Sequence, residues 1–106
     1  MAEPDFSPNI GYEGLVRQKF ADASNVIEAV HIDFMYGFYE ARAVSAEEYI
    51  GIVAAAWSAN NALGEAEILN HDYSLDLGEV VGSLRRKCRC INNIRNEFSG
   101  DKRQVV

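Results

Sequence analysis

The stretch VVGSLRRKCRCINNIRNEF, residues 80–98, carries Val80 and Val81, then Leu84, Cys88, Ile91, Ile94 and Phe98 at spacings of three and four. Cations and amides fill the positions between them. A period near 3.6 puts the apolar side chains on one stripe of an α-helix, the pattern of a helix packed on one face and solvated on the other. Its start is read in Asp76-Leu77-Gly78-Glu79, which fits a capping box, and its end in Gly100, a residue suited to the C-terminal side of a helix.

The same reading extends upstream. Ser45-Ala46-Glu47-Glu48 is a second capping box, in which the Ser hydroxyl caps the third amide and the Glu reaches back. The helix it opens carries Tyr49, Val53, Ala56, Trp57, Asn60 and Leu63 on one side, and Gly64 is expected as its left-handed C-cap. Glu65 to Asn70 is read as a turn or two of helix, and His71-Asp72-Tyr73-Ser74 as a loop. Further back, Tyr12, Val16, Phe20, Ala23, Ile27, Val30, Phe34, Phe38 and Ala41 recur at three and four. That is one helix of about 30 residues, roughly 45 Å long, or two helices divided at the cap cluster Asp22-Ala-Ser24-Asn25, the division being slightly favoured.

No stretch alternates with period two, and no Asn-Gly or Asp-Gly hairpin turn occurs. The expected fold is all-α, a small antiparallel bundle of three to four helices over residues 10–100. A flexible arm holding Pro4 and Pro8 precedes it (residues 1–9), and a flexible tail follows (residues 101–106).

A chain of 106 residues with 48 % hydrophobic residues suffices for one core without disulfides or a structural metal. The longest strongly apolar run, Ile50 to Ala56, is about a third of the roughly 20 residues that cross a bilayer. The start Met1-Ala2-Glu3-Pro4-Asp5 lacks the basic and apolar regions of an export signal. Cys88 and Cys90 point about 200° apart on a helix, so free thiols in a reducing compartment are expected. A cytoplasmic protein without membrane contact is the resulting expectation.

Charge is unevenly distributed. Residues 1–79 hold 14 acids and 3 bases, whereas residues 80–106 hold 7 bases and 2 acids, within a net −6. An acidic body repels phosphates, which makes nucleic acid an unlikely ligand and a protein with a basic surface the favoured one.

Candidate catalytic and metal groups do not form sets. Glu28 and His31 share one helical face, but a second Glu-x-x-His pair is missing, because Glu67 and His71 are four apart. A half-buried or surface histidine near Asp33 accounts better for it. Neither a Gly-x-Ser-x-Gly elbow nor a phosphate-cradling glycine loop occurs. Cys88 falls on the core stripe; Cys90 lies off it among cations that lower a thiol pKa, with no general base at fixed spacing. The chain is therefore expected to be non-enzymatic, with no catalytic residue, metal or cofactor.

Two surface features remain. The run Arg85-Arg86-Lys87-x-Arg89, continued by Arg95, Lys102 and Arg103, reads either as an anchor for RNA or an acidic surface, or as cations that pair with neighbouring acids. The second account is favoured. The run Phe34-Met35-Tyr36-Gly37-Phe38-Tyr39 covers every face of a helix, so part of it faces either a partner or a second side of the bundle.

Ile91-Asn-Asn-Ile-Arg95-Asn96-Glu97-Phe98-Ser99-Gly100 resembles the closing motif of HEPN domains, helical bundles found in ribonuclease toxins and in non-catalytic regulators. Their nuclease signature pairs Arg-Asn with a following His; Arg95 and Asn96 match, and Gly100 stands in the place of the His. The resemblance implies a non-catalytic relative that binds nucleic acid through Arg85, Arg86, Arg89 and Arg95. Phe34 to Trp57, an aromatic helix, a short link and a capped second helix, is similar to the opening of small helical immunity proteins against colicin-type nucleases. That resemblance, like the small size and acidity shared with phage anti-defence and anti-CRISPR proteins, implies an inhibitor or adaptor that occupies the basic surface of a nucleic-acid-binding machine. In this leading expectation Tyr36 and Tyr39 supply desolvated contacts, and Glu40, Glu47, Glu48, Glu65 and Glu67 steer the partner. Self-assembly through the aromatic helix is the third expectation, so the chain is read as a monomer or homodimer.

Overall fold

The computed structural model describes the backbone of residues 8–106 and the side chains of residues 12–106. Three helices pack as a small bundle: α1 (Pro8–Gly37), α2 (Ala46–Asp72) and α3 (Gly78–Ser99). Contacts fix their directions. Tyr49 meets Ser99, Asn60 meets Asn92 and Glu67 meets Arg85, so α2 and α3 run antiparallel. The Tyr12 and Tyr73 hydroxyls, 2.6 Å apart, tie the start of α1 to the end of α2. That hydrogen bond holds the Tyr73 phenol above its ordinary pKa.

Most of the α1 stripe forms as its spacing predicts: Val16, Phe20, Ala23, Ile27 and Phe34 are buried and Val30 half-buried, whereas Tyr12 is exposed and Phe38 and Ala41 lie beyond the helix. Only one helix is present where two were favoured. Ala23 lies in the core between Phe20 and Ile27, so a break at Asp22–Asn25 would pull the stripe out of register. Asp22 is instead bonded to Gln18 one turn earlier, at 2.9 Å. Of the proposed N-terminal arm, residues 1–7 lie outside the described residues. Pro8 and Asn9 belong to α1, where proline is tolerated because first-turn amides have no helical partner.

The α3 stripe is also met, with Val81, Leu84, Cys88, Ile91, Ile94 and Phe98 buried. Its start is not. Asp76 lies at φ 61, in the left-handed region, and Leu77 takes the N-cap position without a side-chain bond. Asn70 replaces the expected capping box, its Oδ1 accepting the Leu77 N–H at 2.8 Å.

The core face of α2 differs most from expectation. Ile52, Ala56, Ala59, Ala62 and Ala66 point inward, while Val53 and Trp57, placed on the buried side by the sequence, are exposed. The middle helix touches both others, and alanines let its backbone approach them closely. The Ser45 capping box forms as read, with the Glu48 N–H on Ser45 Oγ at 3.0 Å and the Ser45 N–H on Glu48 Oε1 at 2.8 Å. Gly64 is no cap: α2 runs through it and through residues 65–70 to Asp72.

Residues 101–106 are not a free tail. A two-residue strand β2 (Gln104–Val105) pairs in parallel with β1 (Ala43–Val44), between α1 and α2. The Gln104 and Val106 amides donate to the Arg42 and Val44 carbonyls, each at 2.8 Å. Two residues per strand are too few for a period to show in sequence.

Candidate functional site

Because alanines fill the inner face of α2, its large side chains stand outside. Ile50 is 68 % exposed, Trp57 67 % and Ile68 60 %. With Ala54, Asn61 and Gly64 they occupy positions 50, 54, 57, 61, 64 and 68, a four-three spacing over about 27 Å of helix. On a helical wheel this seam lies opposite the buried alanines. Helix α2 is thus apolar on two faces, and among the described residues only one is covered.

The seam has an acidic margin. Glu47 and Glu65 share one flank of α2, and Asp22 and Val26 of α1 line the furrow beside Trp57, Ser58 and Glu65. Five acids and neither Lys nor Arg occur in α2. The other flank is apolar in its first half, with Tyr49 and Val53 beside Ile50 and Trp57. Further along it carries Asn60, bonded to Asn92, and the Glu67–Arg85 ion pair of the α2–α3 contact.

The residues predicted to engage a partner do not form one patch. Tyr36, 89 % exposed, lies in the last turn of α1. Tyr39, 51 % exposed, and Glu40 lie in the link after it beside Arg42, Glu97 and Arg103, and Glu47 and Glu48 open α2. Glu65 and Glu67 lie some 27 Å further along α2. Glu48 is engaged by the Ser45 amide and Glu67 by Arg85 at 2.6 Å. This leaves Glu40, Glu47 and Glu65 as the exposed acids of that set outside any ion pair among the described residues.

Part of the basic segment is engaged by acids, although Arg85, Arg86, Arg89 and Lys102 stay exposed. Arg85 pairs with Glu67, Lys87 with Glu28 at 2.5 Å, and Arg103 with Glu97 at 2.7 Å. Arg95, half-buried, donates to its neighbour Asn96, whose side-chain oxygen is thereby occupied. Arg86 and Arg89 are exposed and lie in no ion pair among the described residues. The ion pairs match the reading in which late-chain cations neutralise acids of neighbouring helices.

Glu28 is held by Lys87 and His31 is half-buried; among the described residues no group of three His, Cys, Asp or Glu side chains is placed to hold a metal. Cys88 is buried and donates to the Ala59 carbonyl at 3.6 Å, and burial raises its thiol pKa. Cys90 was placed among cations by the sequence, but its sulfur lies 3.6 Å from Met35 Sδ, in the contact between α3 and α1. Among the described residues no helix is long and apolar enough to cross a membrane.

Comparison with protein-family models, curated proteins and solved structures finds no match to this chain. The surface must therefore be read on its own chemistry. Ile50, Trp57 and Ile68 escaped the sequence reading, although the four-three recurrence of 50, 54, 57, 61, 64 and 68 is visible there. Grouping Trp57 on one side with Tyr49, Val53, Ala56, Asn60 and Leu63 concealed it.

Proposed function

We propose that this chain is a non-enzymatic docking protein, an inhibitor or adaptor that engages the basic surface of a nucleic-acid-binding machine. The observation that carries the reading is the combination of large exposed apolar side chains with a negative surround. Tyr36, Trp57, Ile50 and Ile68 are each at least 60 % exposed, and α2 carries five acids and no Lys or Arg of its own, Arg85 of α3 pairing with Glu67 alone among them. Aromatic and aliphatic groups left in water on a small helical protein mark contact sites, since their burial against a partner recovers about 25 cal/mol for each Å² removed from water. Exposed Tyr36, and Tyr39 with Glu40 at the α1–α2 link beside Arg42, Glu97 and Arg103, are the candidates for one such contact area. The acids supply long-range steering that speeds encounter with a cationic partner.

Affinity capture from a host-cell lysate, with the whole chain immobilised, tests this. The reading predicts a protein partner retained in near-stoichiometric amount and released by salt, with less retained by the Tyr36→Ala/Tyr39→Ala variant. Recovery of nucleic acid alone, without a stable protein, contradicts it. Charge reversal at Arg86 and Arg89 leaves the protein complex intact on this reading, whereas a nucleic-acid-binding domain would lose its ligand.

A further inference from the structure

We infer that the outward seam of α2 is a groove for a single α-helix, one that is amphipathic and basic. The inference rests on the docking function proposed above and specifies where one partner element sits and what it is made of. Three observations lead to it.

The first is spacing. Ile50, Ala54, Trp57, Asn61, Gly64 and Ile68 alternate steps of four and three through nearly three heptads. A 3.5-residue period keeps a seam facing a second helix that winds along it, and this is the geometry in which a side chain of one helix enters a gap on the other. A strand or loop has no matching repeat. Large residues stand at Ile50, Trp57 and Ile68; Ala54 and Gly64 between them are the gaps, and an added Cβ at Gly64 would meet no atom within 4 Å.

The second is that none of the described residues covers the seam, while the opposite face is complete. The alanine face is buried against the bundle, so the outer apolar stripe is not surplus core that awaits a local shift. Asn61, exposed in the middle of the seam, is a polar group of the kind that fixes register between paired helices.

The third is charge. Glu47 and Glu65 flank the seam, Asp22 faces it across the furrow, and α2 has no Lys or Arg. The bases of α1 are Arg17, paired with Glu13, and Lys19, a lone cation against the five acids of α2. A second copy of this chain would bring a second Glu47, Glu65 and Asp22 to the seam. A helix with leucine-type anchors along one stripe and Lys or Arg beside them fits both the groove and its margin.

The test uses the full chain, whose sole tryptophan is Trp57, and a synthetic 21-residue peptide of Leu and Lys in heptad order. Titration is expected to shift Trp57 emission to the blue, saturably and less strongly as salt rises. The same peptide with Glu for Lys is expected to leave emission unchanged. Binding of fluorescein-labelled Leu/Lys peptide is expected to weaken at least tenfold, about 1.4 kcal/mol, in Ile50→Glu/Ile68→Glu and in Asp22→Lys/Glu65→Lys. All four side chains are exposed, and unchanged helix content by circular dichroism confirms that the variants fold. No blue shift, equal binding of the Leu/Glu peptide, or indifference to both variants overturns the proposal. So does a blue shift that grows with protein concentration in the absence of peptide, which would identify a second copy as the occupant. If the peptide fails while lysate capture still depends on Tyr36 and Tyr39, the groove is refuted and the docking function stands.

Discussion

Arg103 lies over the face of Phe98, its guanidinium carbon 5.3 Å from the ring centroid. From there it donates to the Phe38 and Ala41 carbonyls at the end of α1 and to Glu97 of α3. Only 9 % of its side chain is exposed. One residue from the last six thus joins α1, α3 and the β1–β2 pair, and holds the α1–α2 link beside which Tyr39 and Glu40 stand.

Replacing Arg103 with Ala removes a planar fork and leaves two carbonyls without their donor. A loss of about 2–3 kcal/mol is expected by urea unfolding, with faster amide exchange at Gln104 and Val106. Lysine keeps the charge but lacks the fork, so Arg103→Lys is expected to recover less than half of that loss.

The two capping boxes read in the sequence separate cleanly by mutation. Ser45→Ala removes a formed cap and is expected to cost about 1 kcal/mol. Asp76 forms no cap and sits at φ 61, where glycine is unstrained, so Asp76→Gly is expected to be neutral or to stabilise by up to ~1 kcal/mol. Thermal and urea unfolding of both variants checks the opposite signs.

Burial makes Cys88 a weaker acid in the folded chain than in the unfolded one. The folded state then holds the thiol proton more tightly. Its contribution is fully present below the ordinary thiol pKa and is lost as pH rises from there through the raised folded value. Relative to Cys88→Ala, wild-type stability is expected to fall on the alkaline side of that window. Urea midpoints of both proteins across that range measure it, the difference between them removing the alkaline effect of the Tyr12–Tyr73 pair.

How legible each helix was depended on how unequal its faces are. In α3 the contrast between Leu84, Ile91 or Phe98 and the intervening Arg, Lys and Asn residues fixes the phase of the helix, and every inward residue from Val81 to Phe98 was correctly placed. Helix α2 has Ala56, Ala59 and Ala66 on one side and Ile50, Trp57 and Ile68 on the other. Hydrophobic size alone turns such a helix toward its larger residues, and the smaller ones win here because two neighbouring helices crowd that side. The Asp76 box failed for a different reason: a Ser74–Asp76 turn with φ of 51 and 61 at its ends is set by the Asn70 side chain, seven residues from the amide it caps. Parallel pairing of residues 43–44 with 104–105 depends on the Arg103 contacts and has no local signature. At the proposed docking surface Tyr36 and Tyr39 are exposed, while of the acids proposed with them Glu40 lies before α2 and the other four are divided between its two ends.

Acrylamide quenching of Trp57 in the free, dilute chain addresses the outward placement of this helix face most directly. The account predicts emission at the red, water-exposed end of the tryptophan range and quenching nearly as efficient as that of a small tryptophan amide. Blue-shifted, shielded emission from a monomer would mean that the bundle already covers Trp57, and neither the exposed seam nor the groove built on it would stand.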